Sequence, residues 1–303
     1  MSSRDRKRPL LHPLNWPIWL VIGFFRLLSM LPWKAQMVLG AAMGRFAFLF
    51  LPGRRRVVDV NLVLCFPELS EKERHALASR HFAAVGIGLF ETCMAWWTTE
   101  SHLPPFKIIG KEHLDAAKAQ GNGVILFTAH FTTLEICGRI FSQNFSMGGL
   151  YRDPDNPVVA REMHRGRIDK MSAAVPMDDL RGLIRALRKG HIMWYAPDQG
   201  KKGKLFQIVP FFGVPAQTNT ATSRIAKMSG SPVVPYFGIR LPDGSYELRI
   251  LPPLENFPSD DAEADSLRTN RLIEDFVREA PEQYFWVHRR FKRRGEGYED
   301  VYR

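Results

Sequence analysis

Residues 123–135 read GVILFTAHFTTLE and are the clearest indication of the fold class. The first part of this stretch is a short apolar run containing β-branched side chains, which predicts a buried strand. The run ends near His130, and Glu135 follows five positions later. Ligands and catalytic groups collect at the carboxyl ends of strands in α/β sheets. We therefore predict an α/β protein in which His130 lies at a functional edge of the sheet.

His130 and Glu135 form a candidate catalytic pair. Five residues along a helix correspond to about 500° of rotation, so the two side chains would not share a helix face. The two side chains can meet if His130 lies on the turn before the helix and Glu135 lies about one turn inside it. Glu135 would then reach one ring nitrogen, and the other nitrogen would accept a proton from a hydroxyl, as a general base does. The alternative is a half-buried histidine with an unrelated glutamate nearby.

Two further polar residues follow predicted strands. Arg152 comes after a short strand near residues 149–151, and Asp198 lies just beyond a strand at residues 192–196. A base, a cation and a carboxylate at one edge suit transfer chemistry on an electrophile that develops negative charge. Each residue also has a simpler interpretation, Arg152 as a surface cation and Asp198 as a turn residue.

The composition indicates a basic globular protein from a reducing compartment. Its 42 lysines and arginines exceed its 31 acidic residues, and the formal charge of +11 suits an anionic partner such as nucleic acid, acidic lipid or an acidic carrier protein. Aromatic residues interleave with the basic run at residues 288–294, a mixture typical of an interfacial headgroup site or of nucleic-acid binding. The three cysteines are widely separated, which argues against a disulfide framework and against a cysteine metal site.

Two apolar stretches near the N-terminus, residues 14–33 and 37–51, predict membrane attachment. Arg26 interrupts the first and Arg45 the second, and basic clusters flank the pair on both sides. The first is long enough to span a bilayer, but a central arginine costs about 2.5 to 3.5 kcal/mol on insertion scales. A hairpin or interfacial anchor with both ends in the cytoplasm fits better. The alternative is a pair of buried core helices.

The pattern along the chain divides it into three parts. Residues 1–56 form the apolar anchor region, and residues 57–105 a helical segment that packs on the core and contains a capping box at Ser70–Glu73. Residues 106–303 alternate between strand and helix patterns and form the catalytic core. We predict a mixed sheet flanked by helices, including a hairpin that turns at residues 242–244 and a last amphipathic helix near residues 267–277.

Several motifs resemble those of known lipid acyltransferases. The spacing of His130 and Glu135 resembles the HX4(D/E) signature of glycerolipid-type acyltransferases. Over nearly its whole length the chain resembles the bacterial lipid A biosynthesis (late) acyltransferases, and it looks closest to their Kdo2-lipid IVA lauroyltransferase branch. The stretches that carry the resemblance are HF at 81–82 with Glu91, YR at 151–152 with NP at 156–157, YAPD at 195–198, FFG at 211–213 with PA at 215–216, and APEQYFWVHRRFK at 280–292.

The resemblance implies a reaction, a place and a set of partners. An acyl group would pass from acyl carrier protein to a hydroxyl of an anionic lipid A precursor of the Kdo2-lipid IVA type, in lipopolysaccharide biosynthesis. The enzyme would work on the cytoplasmic face of the bacterial inner membrane and would not bind nucleic acid. It would need neither a metal nor a nucleotide cofactor, because the thioester donor is already activated.

The resemblance also implies roles for five residues. His130 would deprotonate the acceptor hydroxyl, and Glu135 would orient and stabilise its imidazole. Arg152 and Arg167, which match arginine positions of the family, and Asp198 would bind substrate or stabilise the oxyanion. One alternative is an acyltransferase for another membrane acceptor, such as a lysophospholipid or a glycosylated lipid. A second is a non-enzymatic lipid- or nucleic-acid-binding membrane protein, which leaves His130 and Glu135 unexplained.

Overall fold

Helices form the N-terminal third of the protein. The structure is a computed structural model that describes residues 9–199 and 206–303. After a short 3₁₀ turn at Pro13–Asn15, the chain forms α1 (Trp16–Leu28), α2 (Trp33–Phe50), α3 (Pro52–Cys65) and α4 (Glu71–Trp97). The predicted capping box is confirmed, because Ser70 and Glu73 bond reciprocally at the start of α4.

The predicted mixed sheet forms the centre of the remaining chain, and it has seven strands. Its order is β1-β9-β8-β2-β5-β3-β4, and β6 and β7 form a separate antiparallel hairpin. Only the pairing of β8 with β9 is antiparallel among the described pairs of the large sheet. The strands are β1 (Phe106–Ile109), β2 (Val124–Phe127), β3 (Met147–Tyr151), β4 (Ala174–Pro176), β5 (Ile192–Tyr195), β6 (Phe206–Phe211), β7 (Val214–Asn219), β8 (Val233–Arg240) and β9 (Tyr246–Ile250).

Helices cover both faces of this sheet. On β2, Ile125 and Phe127 join one buried cluster, whereas Val124 and Leu126 join another. Successive side chains of a strand point to opposite faces, so a strand buried on both sides needs a continuous apolar sequence. The helices of this part are α5 (Lys111–Lys118), α6 (Leu134–Asn144), α7 (Pro157–Gly166), α8 (Leu180–Arg188), α9 (Ala221–Ser229) and α10 (Ala262–Glu279).

The order of the strands positions the candidate site. Strands β2, β5 and β3 are neighbours and run parallel, so their carboxyl ends meet at one edge. His130 follows β2, Asp198 follows β5 and Arg152 follows β3. The predicted gathering of polar residues at one sheet edge is therefore confirmed.

Helix α4 connects the N-terminal helices to the sheet. Its Gly86 meets Gly40 and Gly44 of α2 at backbone contact, and a Cβ atom at any of the three would collide with main-chain atoms of the other helix. The close approach of α4 to α2 therefore needs glycine, which has no side chain, at these three positions. On the side that faces the sheet, the buried Glu91 of α4 accepts bonds from Arg240 and from the hydroxyl of Tyr246.

The first apolar stretch is shorter as a helix than its sequence predicts. Helix α1 has 13 residues and ends before Pro32, which gives a length of about 20 Å against a hydrocarbon core of about 30 Å. Within the described residues, no single helix has the length and apolarity to cross a membrane. Taken together, α2 and α3 are long and apolar enough, but they are bent by 95° at their junction. Large apolar side chains are nevertheless exposed along these helices, among them Leu14, Trp16, Leu20, Val21, Phe24, Leu27, Val38, Phe46, Leu49 and Phe50.

Candidate active site

His130 is held on the turn between β2 and α6. Its ring Nδ1 donates to Asp198 Oδ1 at 2.6 Å, and its main-chain N–H donates to Asp198 Oδ2 at 3.1 Å. Its carbonyl oxygen accepts a bond from the main-chain N–H of Phe285. The bond to Asp198 keeps a proton on Nδ1, so Nε2 is the basic nitrogen of the ring.

Asp198 is the carboxylate that orients this histidine. Its side chain is 2% exposed, and its Oδ2 also accepts a bond from the hydroxyl of Tyr284 at 3.2 Å. Burial raises the pKa of Asp198, but the charge and hydrogen bonds of His130, together with Arg290, outweigh it and leave the pKa below its usual value. The oxygens of Asp198 are directed at His130 and Tyr284, a position that favours orienting the histidine over the predicted substrate-binding or oxyanion role.

Glu135 does not take the predicted place beside the imidazole. It lies in the first turn of α6, where Oε1 accepts a bond from Arg167 Nη1 at 2.7 Å and Oε2 accepts one from Trp96 Nε1 at 3.0 Å. The predicted contact from Glu135 to a ring nitrogen is corrected, since Asp198 occupies Nδ1 and Glu135 faces α4 and the end of α7. Glu135 thus positions Arg167 and Trp96.

The two candidate arginines differ in burial and in hydrogen-bond partners. Arg167 follows α7, pairs with Glu135, and has a buried Nε atom that finds no hydrogen-bond partner among the described residues. Arg152 lies exposed after β3 and makes no ion pair or hydrogen bond with any residue in the described ranges. Arg167 is thus part of the site interior, whereas Arg152 lies at its surface.

A mostly apolar cavity begins beside His130. The indole of Trp194 meets the His130 ring edge-on, with 6.1 Å between the ring centroids, and it also lines the cavity. Burial and the neighbouring Arg139 lower the pKa of Lys170, another lining residue. The wall is formed by Ala95, Trp96, Leu134, Glu135, Gly138, Arg139, Ser142, Met147, Leu150, Gly166, Arg167, Lys170, Met171 and Trp194. The arrangement places a base next to an apolar space with cations in its wall.

Sequence reasoning missed some residues of this site. Tyr284 and His288 belong to the stretch at 280–292 that carries the resemblance, but their contacts join positions distant in sequence. Burial lowers the pKa of His288, while Asp198 opposes this shift and the nearby Arg290 and His130 add to it. Trp96 belongs to the Trp96–Trp97 pair at the end of α4, and nothing in its sequence neighbourhood pointed to Glu135.

Comparison with known proteins gives consistent matches over nearly the whole chain. The family described as bacterial lipid A biosynthesis acyltransferase matches residues 4–293. The lipid A biosynthesis lauroyltransferase of Escherichia coli (strain K12) is 41% identical over 291 residues, 95% of each chain. The palmitoleoyltransferase of the same organism is 36% identical over 300 residues, 97% of each chain. The solved structure of a 1-acyl-sn-glycerophosphate acyltransferase from Thermotoga maritima has a TM-score of 0.36 and 15% identity, covering 79% of this chain and 97% of that one, which is too distant to support a conclusion.

Proposed function

Since the chain belongs to the bacterial lipid A biosynthesis acyltransferases and is an O-acyltransferase of that pathway, we propose that it moves a fatty acyl group from acyl carrier protein to a hydroxyl of a Kdo2-lipid IVA-type precursor. The observation that carries this proposal is the buried Asp198 bound to Nδ1 of His130, whose ring contacts Trp194 in the wall of an apolar cavity. A base of this kind acts on a hydroxyl, and an apolar cavity suits an acyl chain.

In the proposed reaction, His130 acts first as base and then as acid. Nε2 takes the proton of the acceptor hydroxyl as the oxygen attacks the thioester carbonyl carbon. The tetrahedral intermediate then collapses, the carbon–sulfur bond breaks, and the imidazolium returns the proton to the leaving thiolate. Asp198 stabilises the imidazolium and holds the ring orientation throughout.

Arg167 is the proposed donor to the developing negative charge or to a substrate phosphate. Its Nη1 is fixed by Glu135, and its buried Nε has no hydrogen-bond partner among the described residues, so a second charged donor remains available. A donor fixed before the reaction stabilises an oxyanion without reorganisation cost. Arg152, exposed at the same edge, is proposed to contact a substrate phosphate.

The exposed apolar surface of α1 and α2 is proposed to hold the enzyme on the cytoplasmic face of the bacterial inner membrane. Aromatic side chains there, such as Trp16 and Phe24, suit the interfacial region of a bilayer. Long arginine side chains near these helices can extend their charged heads toward water. The acidic carrier protein would then approach from the cytosol, drawn by the positive charge of the chain.

The test of this proposal is a transfer assay that varies both substrates. The purified protein is incubated with a tetra-acylated, Kdo-bearing lipid A precursor and a series of acyl carrier protein thioesters, and the product is read by mass spectrometry. We expect the precursor to gain one acyl mass, and we expect no gain with the His130→Ala protein. Acylation of a lysophospholipid in place of the precursor would contradict the proposed acceptor. Transfer from acyl-coenzyme A alone would contradict the proposed donor.

A further inference from the structure

A strongly basic trough lies near the His130 turn and is lined mainly by residues 287–293. We define it by five cationic or titratable residues, Arg54, His288, Arg289, Lys292 and Arg293, and Gln217, Val287 and Arg290 complete its lining. Its volume is about 410 Å³. Among residues 9–199 and 206–303, no acidic side chain contributes to the lining, and the trough shares no lining residue with the apolar cavity beside Trp194.

The floor of the trough is fixed by buried hydrogen bonds. Arg290 donates to the carbonyl oxygen of Gln217 at 2.6 Å and to the hydroxyl of Thr218 at 3.1 Å. From α3, the amide of Asn61 donates to the carbonyl oxygens of Trp286 and His288 at 2.7 and 2.9 Å. The backbone that carries the basic side chains is therefore held in one position, as a preorganised binding site requires.

No carboxylate of the described residues pairs with the exposed cations of the trough. None of Arg54, Arg289, Lys292 and Arg293 has a carboxylate within 4.0 Å in the part of the chain that the structure describes. Arg289 lies over the ring of Tyr302, and Arg293 donates to the side-chain oxygen of Gln217. Several like charges crowded into one concave surface without counter-charges create a potential that favours an anion.

The two ends of the trough differ in chemistry. At the inner end, His288 is close enough to Asp198 and His130 for both to shift its pKa, and the neighbouring Phe285 bonds to the carbonyl of His130. At the outer end, Arg54 and Arg289 also line a cavity with Phe50 and Leu51, whose side chains are exposed at the end of α2. The trough thus joins the exposed apolar surface to the catalytic base.

We propose that this trough binds an anionic group, phosphate or carboxylate, of the acceptor lipid while its acyl chains remain near the end of α2. The inference rests on the proposed function, and it assigns the acceptor headgroup to a surface distinct from the apolar cavity. An amphipathic molecule with a charged head and apolar chains is the ligand that matches both ends. Binding there brings the acceptor to His130 from the side of the lipid phase.

The first test is the Arg54→Gln/Lys292→Gln protein, because both side chains are exposed and neither bonds to a described residue. The matched control is Lys118→Gln/Lys189→Gln, which removes the same charge. Lys118 lies in the last turn of α5 before β2, and Lys189 lies between α8 and β5. Both are therefore at the amino-end edge of the sheet, opposite His130.

We expect the trough variant to raise the acceptor KM at least tenfold with kcat within about threefold, as loss of uniform binding does. The control should match the unmodified protein, and an unchanged acceptor KM in the trough variant would overturn the inference. Precursors lacking either the phosphates or the Kdo sugars identify the bound group. The penalty of the trough variant should vanish for one of them, and a penalty that persists in full for both would contradict an anion contact.

A second measurement is independent of catalysis. Inorganic pyrophosphate serves as the probe, and broadening of its ³¹P signal reports binding. We expect broadening with the unmodified, His130→Ala and control proteins and its loss with the trough variant. If transfer fails altogether, this measurement still decides whether the trough is an anion site. Equal broadening by the trough variant would refute it.

Discussion

Asp198 holds both the ring and the main chain of His130, accepting Nδ1–H at 2.6 Å and the backbone N–H at 3.1 Å. The two residues follow adjacent parallel strands, β2 and β5, so the contact joins two strand ends. A carboxylate that fixes the backbone as well as the ring leaves the imidazole little freedom to turn. This contact supports the proposal that His130 and Asp198 form the catalytic pair.

The first prediction concerns the base. His130→Ala should lower the transfer rate by at least 10²-fold, the lower limit of the usual contribution of general base catalysis. The fold should be retained with a lower unfolding temperature, because the buried Asp198 loses the ring as a partner. The binding of the acceptor lipid should change little. A variant that keeps more than a tenth of the rate under saturating substrate would rule out His130 as the base.

The second prediction concerns Asp198. Asp198→Asn keeps the shape of the side chain but removes the charge that stabilises the imidazolium, so kcat should fall by about 10³-fold or more. The acceptor KM should change by less than about threefold, because the carboxylate faces His130 and not the substrate. Steady-state kinetics measures both values. A rise in KM with unchanged kcat would instead indicate substrate binding.

The third prediction concerns Glu135 and Arg167. If Glu135 acts by positioning Arg167, then Glu135→Gln should lower the rate strongly in the unmodified protein and little in the Arg167→Gln background. The coupling in this double-mutant cycle should exceed about 0.5 kcal/mol, as for residues in direct contact. The matching cycle of Glu135 with Arg152 should be additive. If the effects of Glu135→Gln and Arg167→Gln were additive, Glu135 would act independently of Arg167.

The fourth prediction concerns the two arginines. Arg167→Lys should be poorly active, because lysine cannot both pair with Glu135 and present a second fixed donor. Arg152→Lys should retain more activity, since Arg152 is exposed and a phosphate contact there needs mainly charge. Initial rates at saturating donor compare the two. Near-normal activity of both would mean that neither arginine makes a fork-shaped contact with substrate.

The fifth prediction concerns stability in acid. His81 is fully buried in α4, where burial lowers its pKa to about 4, partly opposed by its bond to the carbonyl of Glu282. Between that value and the ordinary pKa near 6.5, the unfolded chain binds a proton that the folded chain does not. The free energy of unfolding therefore falls as the pH is lowered through this range, by about 2 kcal/mol between pH 7 and pH 5.

The non-titrating variant His81→Gln isolates this contribution. Its amide can still donate to the Glu282 carbonyl, so the variant should lose about 2 kcal/mol less than the unmodified protein over the same interval. Denaturant unfolding at the two pH values provides the comparison. Parallel losses in both proteins would show that the pKa of His81 is the same in the folded and the unfolded chain.

A large part of the fold could be predicted from local patterns. The apolar run of β2 and the capping box of α4 each depend on a few adjacent residues, and both are confirmed. The hairpin of β6 and β7 was not predicted. Exposed positions of β6 carry the apolar side chains of Phe206 and Ile208, so apolar and polar residues do not alternate and the strand period was not visible in the sequence.

The candidate site shows where sequence reasoning ends. Strand-end position correctly brought His130, Asp198 and Arg152 to one edge, because parallel strands share that edge. The orienting carboxylate was assigned to Glu135 because it is near in sequence, whereas Asp198 lies 68 positions away on the adjacent strand. The carboxylate that contacts the ring is determined by the strand order and by the donors Trp96 and Arg167, which hold Glu135 elsewhere. The sequence spacing of His130 and Glu135 indicates neither of these.

The glycine contact between α2 and α4 has a mechanical consequence. Helices that touch through their main chains at Gly40, Gly44 and Gly86 cannot slide or roll against each other without collision. Further along α4, Gly88 packs on the main chain of Thr132, two residues from His130. If the exposed side of α2 rests in lipid as proposed, this rigid coupling sets the height of the imidazole above the bilayer. The fixed height of the imidazole would then select the acceptor, because only hydroxyls at the same distance from the bilayer would be acylated.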